Sequence, residues 1–324
     1  METAAPQSRG SVWSYVKLAR PHQWVKGVFV LVGPLYGLKD LKPAERTGAL
    51  AAALITFAIF ALASSCCYVV NDIADAEQDR VHPRKRKRPI ASGAISKGNA
   101  YVYAFVLLAA CVGLVGLLGS EVRLAVALIV GAYVVNVWAY TLKLKHIIIA
   151  DVMSLALGFC LRMFAGCAAV AIAPTTWLLN CTLFLAMFLA FGKRLGERRT
   201  MGTDVAAARG VQARYTDDLL RMTVVVTGVA TLLTYGAYVV ARGEANTHVI
   251  PPFHAGINVL WFTMVPATYA LLRSIVLLES GTYDDPTELA AKDLPMKLAV
   301  GVFGLLTLGI LTWGAWAPAL GWGA

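Results

Sequence analysis

Histidine is scarce in this sequence: five occur in 324 residues, at positions 22, 82, 146, 248 and 254. None has H-E-x-x-H or paired spacing, which argues against a zinc-hydrolase centre. The six cysteines (Cys66, Cys67, Cys111, Cys160, Cys167, Cys181) all fall in apolar runs without metal-ligand spacing. They read as small packing residues, and no disulfide framework is expected. Glycine patterns of the Walker or dinucleotide-binding kind are missing, so nucleotide cradling by such a loop is set aside. The opening "METAAPQSRG" is polar, and without a short apolar core before a small-residue cleavage site no cleaved signal peptide is expected.

Apolar residues are abundant instead. The chain is 58% hydrophobic with a mean hydropathy of +0.64, against roughly 45–50% apolar residues in soluble domains. A membrane span needs about 20 apolar residues, and such runs are centred on 24–38, 48–70, 98–118, 122–141, 147–171, 175–192, 218–241, 255–278 and 297–316. The expected fold is an all-α polytopic membrane protein, a bundle of about nine transmembrane helices in the lipid bilayer. It is expected to form a single domain over 1–324, with 1–15 as a flexible tail. Lys and Arg set the orientation. With the N-terminus cytoplasmic and the C-terminus outside, the inside segments hold 21 of the 29 basic residues. The net charge of +10 is then a topology signal, and no nucleic-acid partner is expected.

The span over 48–70 runs into "NDIADAEQD", Asn71 to Asp79, and then "RVHPRKRKRP". On a helix Asp72, Asp75 and Asp79 fall within about 60° of one another, with Asn71 beside them and Glu77 pointing elsewhere. Three carboxylates on one face repel unless a cation sits among them. An oxygen-only set suits Mg²⁺, which binds through a few carboxylates plus substrate phosphates. The alternative is a solvated helix end, but acids at a helix C-terminus oppose the helix dipole. Arg80, Arg84, Lys85, Arg86, Lys87 and Arg88 supply the complement for anionic oxygens, although positive-inside bias alone also places basic residues here.

"NDIADAEQD" followed by "RPIASG" resembles the UbiA superfamily of intramembrane prenyltransferases, whose first motif has the form N-D-x-x-D-x-x-x-D. The resemblance covers about Ala19 to Trp313 and implies nine helices with the motif loops on the cytoplasmic side of the plasma (inner) membrane. It implies Mg²⁺ as cofactor, held by Asn71, Asp72, Asp75 and Asp79, the three aspartates being catalytic. Aromatic prenyltransferases of the family carry a second acidic cluster after the sixth helix. Here that place reads "AFGKRLGERR", with Lys193, Arg194 and Glu197. One acid does not build a second metal site, whereas Arg forks and Lys point charges suit phosphate. "RPHQWVKG", "YTLKLKHIIIADV" and "LAFGKRLGE" are similar to one branch of the superfamily. That branch transfers 5-phosphoribose from phosphoribosyl diphosphate (PRPP) to a polyprenyl (decaprenyl) phosphate, feeding cell-wall arabinan synthesis. An aromatic prenyltransferase and a non-enzymatic polyprenyl-lipid carrier or flippase are the alternatives.

Further positions are substrate-binding candidates. Gln23 and Lys26 share a helix face, and Arg20 reads as a headgroup contact or phosphate ligand. Trp24 reads as an interfacial anchor. Tyr140 is an interfacial aromatic, and Lys143, three residues on, can reach a phosphate, as can Lys145. Asp151 and Arg162 lie eleven residues apart, within about 20° on one helix face and roughly 16 Å along it, with Ser154 and Gly158 between them. Charged groups inside a membrane are functional candidates, so Asp151 is assigned to ribose hydroxyls or the metal. Arg162 is either a substrate contact or an internal strut. Asp285, Pro286 and Glu288 read as a helix start, and Thr216 or Asp217 as the cap of the seventh span.

Overall fold

Apolar runs become helices in a membrane because hydrocarbon offers no partner to backbone N–H and C=O groups, and a helix satisfies them within the segment. A computed structural model describes residues 11–37, 40–81, 85–201, 214–249, 256–281 and 292–313. Its main helices are α1 (Val12–Ala19), α2 (Val28–Tyr36), α3 (Arg46–Ala74), α4 (Ala76–Val81), α5 (Lys97–Gly116) and α6 (Ser120–Leu142). They continue as α7 (Ala150–Ala169), α8 (Thr176–Met201), α9 (Asp217–Ala241), α10 (Met264–Glu279) and α11 (Leu294–Leu311). Two short strands, β1 (Thr247–Val249) and β2 (Gly256–Asn258), pair antiparallel with Thr247 opposite Asn258.

Among the described residues eight helices are long and apolar enough to cross a membrane: α3, α5 to α9, α10 with the turn before it, and α11. The span expected over 24–38 is not one of them. Arg20 ends α1 in the left-handed conformation, Pro21–Gly27 forms a 3-10 helix, and α2 has only nine residues with Pro34 inside. α2 alone rises about 13 Å against a hydrocarbon core of about 30 Å, and the contiguous 3-10 segment adds about 14 Å. α1 begins inside the expected tail, where Ser11 accepts a hydrogen bond from the Trp13 N–H and caps it.

The chain forms two compact units. The first takes its described residues from Met1–Pro34, Pro43–Leu142 and Leu161–Ala173, the second from Leu35–Lys42, Lys143–Cys160 and Pro174–Ala324. In the first, Val30, Ile59, Phe60, Val126, Tyr133 and Ala165 form one buried cluster, and Leu18, Val69, Ile73, Ile90 and Ala104 another. In the second, Val152, Phe188, Phe191, Leu195, Tyr215, Leu220 and Leu278 pack together. Large apolar side chains on α5 and α6, among them Phe105, Val112, Leu124 and Leu128, stay exposed. For a membrane span that is the lipid-facing surface.

Close helix approach in the first unit depends on glycine. A Cβ at Gly166 would lie 1.8 Å from the Val30 carbonyl oxygen, and one at Gly33 would lie 2.2 Å from the Cys167 Sγ. Small residues at such crossings let membrane helices pack by van der Waals contact. Gly166→Ala should therefore destabilise the protein by about 3 kcal/mol, at the upper end of overpacking costs. Thermal unfolding in detergent checks this, and an unchanged midpoint would contradict the contact.

Candidate functional site

In the first unit α3 carries the acidic motif out of the membrane. Asp75 caps α3 with helical backbone angles, its N–H donating to the Asn71 carbonyl at 2.9 Å, and the Asp79 N–H donates to the Asp75 carbonyl at 2.9 Å. The chain thus stays nearly helical through the break, and the spacing of the aspartates keeps its meaning. Asp72 and Asp79 are 4% and 3% exposed and Asp75 is half-buried. Glu77 points outward, as its position on the helix predicts, and accepts from Lys97 at 2.9 Å and Arg80 at 2.8 Å. The Lys97 bond is the main reason its carboxyl titrates below the ordinary glutamate value.

One arginine joins the two buried carboxylates. Arg88 Nη1 donates to Asp79 Oδ2 at 2.6 Å and to Asp72 Oδ1 at 3.2 Å, and Lys85 Nζ stands 4.0 Å from Asp79 Oδ1. Arg20 Nη2 donates to Asp72 Oδ1 at 2.6 Å and its guanidinium lies 5.0 Å from the Tyr68 ring centroid. Asn71 Oδ1 accepts from the Thr141 hydroxyl at 3.2 Å. The Trp24 indole N–H donates to Ser65 Oγ at 3.0 Å, and Ser65 donates to the Ala19 carbonyl at 2.7 Å. These two bonds tie the 3-10 segment and the end of α1 to α3.

The arrangement bears on a divalent cation. Among the described residues no group of three His, Cys, Asp or Glu stands ready to hold a metal ion. The donor chemistry nevertheless fits a hard cation, because the ligand atoms are all oxygens. Arg88 Nη1 serves as a stand-in ion, marking a point that carboxylates of Asp72 and Asp79 both reach. Asn71 and Asp75 lie on the same turn.

The second unit holds a separate buried network. Arg194 Nε donates to Asp151 Oδ2 at 3.2 Å and its Nη1 to Glu197 Oε2 at 3.2 Å. The Tyr215 hydroxyl donates to Asp151 Oδ1 at 2.6 Å and accepts from the Ile149 N–H at 2.8 Å. Asp151 is fully buried and Arg194 and Tyr215 nearly so. Burial, reinforced by the bond to Asp151, pushes the Tyr215 hydroxyl well above its ordinary value. Each oxygen of the Asp151 carboxylate thus accepts a hydrogen bond from within the protein. Tyr215 escapes a reading by motif, and its only local sign is a tyrosine just before the helix start "TDDLL". Thr216 caps that helix by accepting from the Leu219 N–H at 3.1 Å, as expected. Arg198 binds Asp217, and Arg199 bridges Asp217 at 3.2 Å and Glu279 at 3.1 Å, which also accepts from Arg221 at 3.0 Å. Ends of α8, α9 and α10 are thereby joined.

Among the described non-glycine residues, positive φ occurs at Arg20 (53°), Ile149 (67°) and Ala171 (53°). For a side-chain-bearing residue this conformation costs about 1–3 kcal/mol and persists only where neighbours impose it. Arg20 is tethered to Asp72, and Ile149 to Tyr215.

Of the other sequence-derived residues, Gln23, Lys26, Tyr140 and Lys193 are half-buried and Lys143 is exposed. Arg80 turns away from Asp72 and Asp79 to Glu77. Asp151, Ser154, Gly158 and Arg162 are all buried, so the polar stripe on α7 faces protein. Arg162 Nη2 donates to Tyr133 at 2.8 Å and Ser64 at 3.2 Å, with its guanidinium 4.5 Å from the Tyr133 ring centroid. That is the strut reading. Arg84, Asp285, Pro286 and Glu288 lie outside the described residues.

The profile of the UbiA prenyltransferase family matches residues 29–300. The chain is 31% identical over 298 residues to a decaprenyl-phosphate phosphoribosyltransferase of Mycolicibacterium smegmatis, covering 91% of each. It is 34% identical over 285 residues to the protein of that name from Corynebacterium glutamicum, covering 87% of this chain and 82% of the other. Its fold is similar to a UbiA homolog from Archaeoglobus fulgidus solved with DMAPP and Mg²⁺. The TM-score is 0.66 at 15% identity, over 92% of this chain and 99% of that one.

Two arginines of the same basic segment should behave differently on substitution. Arg80→Gln breaks an exposed pair and should change stability by less than about 0.5 kcal/mol. Arg88→Gln leaves buried Asp79 with only Lys85 at 4.0 Å, while Asp72 keeps Arg20, and should cost about 3 kcal/mol. Equal effects in thermal unfolding would contradict the assignment of Arg88 as the bridge.

Proposed function

The chain belongs to the UbiA prenyltransferase family, and from that premise we propose that it transfers 5-phosphoribose from PRPP to a polyprenyl (decaprenyl) phosphate, releasing diphosphate. The observation that carries the reading is "FGKRLGERR": its acid, Glu197, is bonded to Arg194 rather than left for a second metal. An allylic diphosphate gripped by two acidic clusters is a poorer match than a donor needing one metal site and several phosphate contacts. The names of the mycobacterial and corynebacterial relatives point the same way. The Lys and Arg asymmetry supports the cytoplasmic side of the plasma membrane for this chemistry, with the N-terminus inside and the C-terminus outside. The product would be the lipid-linked precursor of cell-wall arabinan.

Asn71, Asp72, Asp75 and Asp79 would hold Mg²⁺, which supplies charge neutralisation to the departing diphosphate. Arg88, with Arg20 and Lys85, then donates to diphosphate oxygens as negative charge develops on them. The bond from ribose C1 to diphosphate breaks with its electron pair leaving on the diphosphate, and C1 acquires oxocarbenium character. An oxygen of the lipid phosphate forms the new bond from the opposite face, inverting C1. That nucleophile is already anionic at neutral pH, so no histidine or cysteine base is needed. Gln23, Lys26, Tyr140, Lys143 and Lys193 take the remaining phosphate contacts. In the second unit Asp151, Arg194 and Glu197 act by holding the segments around Lys143 and Lys193 in shape. Arg80 and Arg162 receive no substrate role.

Two substitutions test the reading through transfer of label from ribose-labelled PRPP into extractable lipid. Asp75→Ala should lower turnover by about 10²-fold or more with an unchanged melting midpoint. Activity near wild type would remove the acidic turn from the reaction. Lys193→Ala should raise the KM of a phosphate-bearing substrate about tenfold, roughly 1.4 kcal/mol. An unchanged substrate response would remove Lys193 from the site.

A further inference from the structure

Between α6 and α7 the chain turns through Lys143, a 3-10 turn at Leu144–His146, and Ile147–Ile149. This turn presents three basic groups in four residues, Lys143, Lys145 and His146. Among the described residues no carboxylate pairs with Lys143 or Lys145, whereas Arg20, Arg80, Arg88, Arg194, Arg198 and Arg199 all sit on acids. Its last residue, Ile149, has φ 67°, an outlier for a β-branched side chain. That side chain is 46% exposed, so core packing does not impose the conformation.

Hydrogen bonds at its backbone do: the Ile149 carbonyl accepts from the Met153 N–H at 2.8 Å in the first turn of α7. The Ile149 N–H donates to the Tyr215 hydroxyl at 2.8 Å, which donates in turn to Asp151 Oδ1 at 2.6 Å. Asp151 is fixed through its other oxygen by Arg194. The phenol oxygen thus has one donor and one acceptor direction already set, and Tyr215 is 1% exposed. Strain held by a buried relay beside the first turn of α7 points to a conformation kept for use.

We propose that Tyr215 is a positioning residue for phosphate recognition: through Ile149 it holds the 143–149 turn in the shape that offers Lys143 and Lys145 to a substrate phosphate. This rests on the phosphoribosyl-transfer reading for the identity of the phosphate, but not for the lock itself. Asp151 and Arg194 serve the turn at one remove, by fixing the hydroxyl that holds it.

The test uses the full-length protein in detergent. Tyr215→Phe keeps the ring in the core and removes only the hydroxyl. Amide exchange over 143–150 should rise, with faster tryptic cleavage at Lys143 and Lys145. KM for PRPP or for the polyprenyl phosphate should rise about tenfold, roughly 1.4 kcal/mol, with kcat within about threefold. Adding Ile149→Gly to Tyr215→Phe should recover most of the KM loss, because glycine adopts positive φ without the bond. Unchanged exchange in Tyr215→Phe would overturn the lock. So would a fall in kcat with KM unchanged, or failure of the glycine to recover KM. Altered exchange and cleavage in a protein without phosphoribosyl transfer would uphold the lock and reject the functional reading alone.

Discussion

A carboxylate near the hydrocarbon must sit beside a cation, because an unpaired charge there is costly. The bridge from Asp72 through Arg88 to Asp79 meets that constraint in the first unit. Through it α3, α4 and the segment that carries "RPIASG" are tied together. Arg20 extends the bridge to the end of α1, and Trp24 and Ser65 secure the same corner. In the second unit the buried pair of Asp151 and Arg194 does the corresponding work, with Tyr215 and Glu197 completing its hydrogen bonds. Each cluster is stable as a set of internal pairs. In the proposed reaction the first would exchange an internal cation for an external one, since its donor atoms are oxygens and its cations are arginines that match phosphate.

Much of this was legible in the sequence where one helix period decides it. The spacing of Asp72 and Asp79 places both on one buried face, and Glu77 falls on the opposite side. The Thr216 cap, the buried stripe from Asp151 to Arg162, and eight apolar spans follow from the same local rules. The family motif N-D-x-x-D-x-x-x-D is local as well, and the profile match over residues 29–300 agrees with it.

What stayed hidden depends on contacts between distant segments. Arg80 and Arg88 look alike in a basic run, yet one turns to Glu77 and the other folds back onto the aspartates after the turn at Pro89–Gly93. Tyr215 lies 64 residues from Asp151, and no motif links them. The bond from Trp24 to Ser65 likewise joins residues 41 apart. The run expected over 24–38 begins in a 3-10 segment and carries Pro34 inside α2, which an apolar count does not register. Asp151, assigned to ribose from its depth and charge, has both carboxylate oxygens bonded within the protein.

The most direct test is diphosphate release by the purified protein, with Mg²⁺, PRPP and a polyprenyl phosphate each omitted in turn. The account predicts release only when all three are present. Turnover with a prenyl diphosphate and an aromatic acid, and none with PRPP, would contradict it and place the chain among the aromatic prenyltransferases.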